Sequence, residues 1–203
     1  EDEDPTKACR PFDLNRNGFV ISEGAGVLIL EELEHAQARG ARIYAEWKGA
    51  GTSNDAFDMV AAAEDGRGVM RAIQRSLKRS EVGLDEIDYI NAHGTSTPLN
   101  DRVESRAIRT VFAEHADRLM VSSTKSMTGH MMGAAGAVEA AVAALTCYHQ
   151  IVPPTINYAT PDPDCDLDYV TEGARRGLIR NAMSTSVGLG GHNSSIVFSR
   201  WDG

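Results

Sequence analysis

Lys125 and His130 stand close together in Val121–Glu139, VSSTKSMTGHMMGAAGAVE, where a short apolar run ends in Ser, Thr and Lys and a Gly-containing turn presents the histidine. A further histidine, His93, follows another apolar run, Ile87–Asn91, and opens the polar stretch AHGTSTPLND. Neutral imidazoles at neighbouring strand ends can donate hydrogen bonds through Nε2 to an oxygen that is becoming anionic. A Lys and a carboxylate nearby would hold their tautomers. The segment after His130 is rich in Gly and Ala (Gly133, Ala134, Ala135, Gly136, Ala137, Ala140, Ala141, Ala143, Ala144), with Glu139 as its acid. That composition predicts a helix packed by backbone on most faces, with the Glu139 carboxylate hydrogen-bonded or ion-paired inside. No nucleophile accompanies the histidines. Cys147 falls in the small-residue helix and Cys165 in an acidic loop, neither an electropositive setting for a thiolate. Covalent chemistry has to take its nucleophile from outside this chain.

The elements that must position these groups are legible from periodicity. Ile87–Asn91 reads as a strand, followed by a polar loop and a helix from about Asp101 to Glu114, and Leu119–Ser123 reads as the next strand. Successive strand–loop–helix units predict a parallel or mixed sheet with helices packed on it, which gathers His93 and His130 at one edge. Residues 17–31, NGFVISEGAGVLILE, read as a buried strand, Glu31–Gly40 as a short helix ended by glycine, and Arg42–Gly51 as a strand carrying Tyr44 and Trp47. Thr52–Asp65 is a polar loop over the mouth of the site. Gly66–Ser80 is an amphipathic helix with Val69, Met70, Ile73 and Leu77 inward and Arg67, Arg71, Arg75, Lys78 and Arg79 as a dense basic cluster. Pro153–Asp168 is a connection, and Asn181–Val187 and Ser194–Trp201 pair across GLGGHN.

The 203 residues carry a net charge of −9, with 42% hydrophobic and 24% charged residues, an ordinary globular composition that argues against nucleic acid as the overall partner. No apolar stretch reaches the roughly 18–20 residues of a membrane span, and nothing like a signal peptide opens the chain. Cys9, Cys147 and Cys165 are too scattered for a metal site, which fits a reducing, cytoplasmic compartment. Asp13, Asn15, Asn17 and Gly18 begin like a calcium loop, but Glu23 arrives one residue early, so an Asx turn is the reading and no metal site is expected. The chain opens EDEDPTKACRPFD without an initiator Met, and residues 1–12 read as a lead-in from a longer protein.

CRPFDLNRNGFVISEGAG, NAHGTSTPLND, STKSMTGHMMGAAGAVE, PPTINY with CDLDYV, and the terminal GLGGHN together resemble the C-terminal half of a β-ketoacyl-acyl-carrier-protein synthase of the elongating, KAS II-like type. The resemblance spans essentially the whole chain, 1–203. It implies an α/β, thiolase-like fold, one βαβαβαββ half with a mixed five-stranded sheet, whose catalytic Cys lies on a missing N-terminal half. The implied activity is decarboxylative Claisen condensation of an acyl thioester with malonyl-acyl carrier protein, in fatty-acid or polyketide elongation. By match to the family's motifs, His93 and His130 would stabilise the malonyl enolate, Lys125 would orient the site, and Glu139 would anchor it. Thr95 and Thr97 would bind the phosphopantetheine arm, which arrives on the carrier protein; no cofactor belongs to the chain itself. Asp101 and Glu104 would be supporting carboxylates, a helix N-cap and first-turn acid being the plainer reading. The complete enzyme is expected to be a homodimer, with no membrane or nucleic-acid partner.

Departures from the family pattern bear on specificity. The usual FGFGG turn reads Val187-Gly188-Leu189-Gly190-Gly191 here, so a backbone donor survives around Leu189 and Gly190 while the aromatic gate is gone. Asp58 replaces a frequent His near the pantetheine tunnel. The alternative function is a non-catalytic partner of the chain-length-factor kind; retention of His93, Lys125 and His130 favours the enzyme.

Overall fold

Short helix α1 (Leu33–Ala38) ends where Gly40 takes φ +66°, with the Ala41 amide donating to the Ala36 carbonyl and the Gly40 amide to Gln37, before the chain enters β1 (Glu46–Asn54). The computed structural model describes residues 4–203, so Glu1–Glu3 of the lead-in lie outside the described residues. Helix α2 (Arg67–Ser80) lies on β1 at backbone distance because Gly49 and Gly51 carry no side chain. A Cβ at Gly51 would stand 2.1 Å from the Ala72 carbonyl and 2.4 Å from the Ser76 nitrogen. The close crossing therefore requires glycine.

Next come β2 (Tyr89–Asn91), α3 (Pro98–Phe112), β3 (Met120–Ser122), the single helical turn α4 (Lys125–Thr128) and α5 (Ala135–His149). A two-stranded ribbon of β4 (Ile151–Val152) and β5 (Arg175–Arg176) precedes the long hairpin of β6 (Asn181–Gly188) and β7 (His192–Ser199). The main sheet is five-stranded and mixed, in the order β1-β7-β6-β2-β3, with β7 antiparallel to both neighbours and β2 parallel to both of its own. Apart from α1, the single turn α4 and the ribbon, the succession is β-α-β-α-β-α-β-β, as expected. Strand alternation splits the core in two. Ile90, Val121, Met183 and Val197 pack with α2 and α3 residues such as Ile73, Ile108 and Phe112; Tyr89, Ala182 and Phe198 pack with Ala140, Ala143 and Cys147 of α5.

Several expectations are corrected. Residues 17–31 form no strand: beyond an isolated bridge between Ile21 and His130 they find no ladder among the described residues, and Val27, Ile29 and Leu30 stand 84%, 79% and 61% exposed. The apolar run is real, but a strand needs a hydrogen-bonded neighbour. Strand β1 starts at Glu46 rather than Arg42 and runs past Gly51 to Asn54, because its ladder with β7 sets its length. Helix α3 begins at Pro98, with Thr97 as its N-cap residue and Asp101 inside the first turn. Helix α5 is buried on one side only; Gly136, Leu145 and Tyr148 are exposed, so the small residues do not mark all-round packing. The Asx turn is present, with Asp13 accepting from the amides of Asn15, Ala159 and Thr160 at 2.8, 2.7 and 2.6 Å.

Candidate active site

The two histidines meet where the parallel strands end. His93 sits just beyond β2 and His130 just beyond α4, their rings 5.3 Å apart and nearly perpendicular. They line a cavity of about 890 Å³ together with Phe19, Thr95, Thr97 and Leu189.

Each histidine is fixed through its backbone. The amides of His93 and Gly94 donate to the two carboxylate oxygens of Glu104, both at 2.8 Å, and the Thr185 hydroxyl donates to the same carboxylate at 2.7 Å. Gly94 holds φ +37°, and a Cβ there would lie 2.5 Å from that of Ser123. His130 is strapped by the N-terminal arm: its amide donates to the Val20 carbonyl at 2.7 Å and its carbonyl accepts from Ser22 at 3.0 Å. The Met132 amide donates to His130 Nδ1 at 3.2 Å, which leaves Nε2 to carry the ring proton. Phe19 meets the same ring edge-on at 5.7 Å.

Lys125 lies fully buried behind the histidines, ion-paired with Glu139 on α5. Burial, and then the Lys125 charge, hold His93 well below the usual imidazole pKa and lower that of His130. Burial pushes the Glu139 carboxyl above the ordinary range, with the lysine opposing. Both imidazoles are therefore neutral donors at neutral pH, beside a cation that disfavours their protonation.

Asp101 and Glu104 do not face the cavity. Asp101 accepts from the amides of Phe12 and Ser96 at 2.9 and 3.1 Å, and burial raises its carboxyl to about 6. It clamps Ser96, whose φ of +68° is left-handed. Thr95 and Thr97 share a hydroxyl–hydroxyl bond of 2.9 Å at the cavity wall. Leu189 is 64% exposed at the rim, whereas Gly190, at φ +82°, turns its backbone away to Met59 and Asn54, at 2.7 and 2.9 Å. Cys9, Cys147 and Cys165 are free and buried, and burial raises their thiols to about 11, 12 and 11. Among the described residues, none of the cysteines is poised as a nucleophile, and no cluster of His, Cys, Asp or Glu could hold a metal ion.

Sequence reasoning missed Thr185, the hydroxyl donor to Glu104, and Arg16, whose buried guanidinium bonds the Thr97 and Pro98 carbonyls and Asp162. Neither stands in a motif with a chemical signature. It also missed Asp55, which ties Asn193 and the Ala63 amide at 2.8 and 3.0 Å beneath the mouth loop. The polar composition of that loop was the available signal.

Known proteins share this sequence pattern and fold. The sequence profile of the β-ketoacyl synthase C-terminal domain matches residues 44–159, and that of the family's N-terminal domain matches residues 1–36. The chain is 50% identical to 3-oxoacyl-[acyl-carrier-protein] synthase 2 of a Synechocystis species over 98% of its own length and 48% of the relative's. The Staphylococcus aureus synthase of the same name is also 50% identical, with the same coverage. The chain thus spans about half the length of the curated relatives it matches. A solved type II polyketide ketosynthase, in complex with its acyl carrier protein, superposes with a TM-score of 0.97 at 46% identity, over 100% of this chain and 50% of that one. The ishigamide ketosynthase/chain length factor gives a TM-score of 0.92 at 41% identity, over 99% and 48%. These neighbours are thiolase-fold ketosynthases, so the fold is the thiolase-like one. The profile match over residues 44–159, more than half of the chain, places it in the β-ketoacyl synthase family.

Proposed function

We propose that the chain is the C-terminal half of a cytoplasmic β-ketoacyl-acyl-carrier-protein synthase and activates malonyl thioester for decarboxylative condensation. The carrying observation is the pair of neutral imidazoles at 5.3 Å, one with its proton assigned to Nε2 by the Met132 amide. A cysteine of the N-terminal half, outside this chain, takes the acyl group from its carrier thioester and releases the carrier thiol. Malonyl-carrier then loses carbon dioxide, and the electron pair of the broken C–C bond forms an enolate. Its oxygen is received by the Nε2–H groups of His93 and His130, donors that need no reorganisation as charge develops. The enolate carbon attacks the acyl carbonyl and expels the cysteine thiolate, giving the β-ketoacyl thioester on the carrier. Burial keeps the imidazoles unprotonated, and Lys125, paired with Glu139, adds to that effect. Thr95 and Thr97 hold the phosphopantetheine arm at the wall, and Asp101 and Glu104 position the loop that carries them. The exposed arm 22–31 packs against the N-terminal half, and the complete enzyme is a homodimer.

In the full-length protein, His93→Ala and His130→Ala are expected to abolish malonyl decarboxylation while acyl loading persists. Normal condensation by either variant rejects the assignment. Decarboxylation without acyl transfer in the unmutated enzyme would instead identify the chain-length-factor kind of partner.

A further inference from the structure

Arg16 is a buried cation that ties two distant parts of the chain to the N-terminal arm. Its side chain is 4% exposed. Nη1 donates to the Asp13 carbonyl at 2.9 Å and to Asp162 at 2.5 Å, Nε to the Thr97 carbonyl at 3.2 Å and Nη2 to the Pro98 carbonyl at 3.0 Å. The Asp101 carboxylate lies 3.7 Å from Nε. A buried ion pair is a weak way to stabilise a fold, because desolvating the charges offsets much of their attraction. What a guanidinium supplies instead is geometry, a planar fork of donors that holds several acceptors in one arrangement. Here the fork takes two consecutive carbonyls, those of the α3 N-cap residue and of the first residue in the helix.

Those carbonyls belong to the loop that carries the hydroxyl wall. Thr95 and Thr97, bonded to each other at the cavity, flank Ser96, whose left-handed φ persists only where neighbours fix it. The arm supplies such neighbours: the Arg10 amide donates to Ser96 Oγ and the Gly18 amide to the Ser96 carbonyl, both at 3.0 Å. A few residues on, the same arm straps His130 through Val20 and Ser22. It passes there at backbone distance, since a Cβ at Gly129 would stand 3.0 Å from the Val20 carbonyl and 2.9 Å from the Ser22 Cβ. His93, by contrast, is held from α3 by Glu104. The arm therefore fixes one histidine, α3 fixes the other together with the threonines, and Arg16 is bonded across the seam.

We propose that Arg16 is a positioning residue that sets the Thr95–Thr97 hydroxyl pair against the imidazoles, so that the amides of a pantetheine arm meet the hydroxyls while its thioester reaches the histidines; this rests on the function proposed above. Arg16 touches no substrate atom. It acts through the Thr97 and Pro98 carbonyls, and Asp162, on the Pro153–Asp168 connection, anchors the fork. Lysine is no substitute. An ammonium on a flexible stem has three donors but no plane, so it can reach Asp162 or a carbonyl without fixing their spacing.

The test measures carbon dioxide release by the full-length protein from two malonyl thioesters, one on pantetheine and one on a plain alkyl thiol that offers the threonines no amide. Arg16→Lys is expected to raise KM about fivefold for the pantetheine thioester, as for the loss of about one neutral hydrogen bond, and to leave KM for the alkyl thioester within about twofold. Thr97→Val alone gives the same split. In that background Arg16→Lys adds less than about twofold, because the two substitutions act on one contact. Equal loss on both substrates, an unchanged pantetheine KM, or full additivity of the two substitutions overturns the proposal. Should Arg16→Lys fail to fold, Asp162→Asn decides: it keeps the arginine and removes only its charged partner, and absence of the same split there is refuting. If Thr97→Val leaves both KM values unaltered, the threonines hold no arm and the proposal falls with them. If the unmutated enzyme releases carbon dioxide from neither thioester, the proposed function itself fails.

Discussion

Glu104→Gln isolates what the buried carboxylate does for His93. Glu104 is fully buried and accepts three hydrogen bonds of 2.7–2.8 Å, from the His93 and Gly94 amides and the Thr185 hydroxyl. The amide of glutamine keeps one acceptor oxygen. If that oxygen serves His93 and Thr185, which share Oε1 in the native site, the new NH2 faces the Gly94 N–H. Donor then opposes donor in a site without solvent. A hydrogen bond to a charged acceptor contributes about 1.5–3 kcal/mol and an orphaned buried donor costs about 1–3 kcal/mol, so relaxation of the loop is favoured over keeping the native geometry. Gly94 has little room to relax toward Ser123, whose Cβ stands 2.5 Å from where a Gly94 Cβ would be. The backbone at His93 shifts instead.

A displacement of about 1 Å in a positioned donor costs on the order of 100-fold in rate. The assay is carbon dioxide release from malonyl-carrier by the full-length enzyme, with acyl loading measured in parallel to establish that the variant is folded. Thr185→Val serves as the graded control: it removes one hydroxyl but leaves both backbone amides satisfied, so its rate loss is expected to stay under about tenfold. Decarboxylation by Glu104→Gln within about threefold of the unmutated rate, a difference of under 1 kcal/mol, would refute the reasoning.

Other outcomes follow from the same geometry. Because His93 and His130 are both held below the ordinary imidazole value of 6.5, while burial raises the Glu139 carboxyl to about 7, the histidines' own loss of decarboxylation is expected only below 6.5; an inflection at or above 6.5 that survives in Glu139→Gln counts against neutral donors. The same depressed values mean that the stability these groups contribute is present above 6.5 and is lost as pH falls through their folded-state pKa values, which an acid titration of the melting temperature checks. Leu189→Phe at the cavity rim should narrow the range of acyl chains loaded, and an unchanged product-length profile would mean that Leu189 is no gate. Gly51→Ala forces a Cβ to within 2.1 Å of the Ala72 carbonyl and should lower the melting temperature of the full-length protein by several degrees; an unaltered melt would show that α2 moves freely off β1.

The sheet was legible because its evidence is local. Ile87–Asn91 and Leu119–Ser123 announce themselves as short apolar runs ending in polar loops, and parallel order then brings His93 and His130 to one edge. Residues 17–31 misled for the same reason: apolar composition reports what wants burial, whereas a strand is decided by a partner ladder that no local window contains. Strand β1 ran past its expected end because its length is set by its register with β7, more than a hundred residues away. Thr185 and Arg16 were invisible because hydroxyls and arginines are common, and what distinguishes these two is whom they meet after folding.

Glu139 lies between the legible and the hidden. Its carboxylate stood out as an acid in a small-residue helix, and burial required a partner; Lys125 provides it from the turn before His130. The partnership reaches the histidines through charge rather than contact. The carboxylate pairs with the lysine, whose charge adds to burial in lowering both imidazole pKa values. Burial and a charge that no substrate atom has to touch thus together hold both imidazoles neutral. That also explains why the small-residue helix matters although Gly136, Leu145, Tyr148 and His149 on it are exposed: the face bearing Glu139, Ala140 and Ala143 must come close enough to the sheet for its carboxylate to reach Lys125.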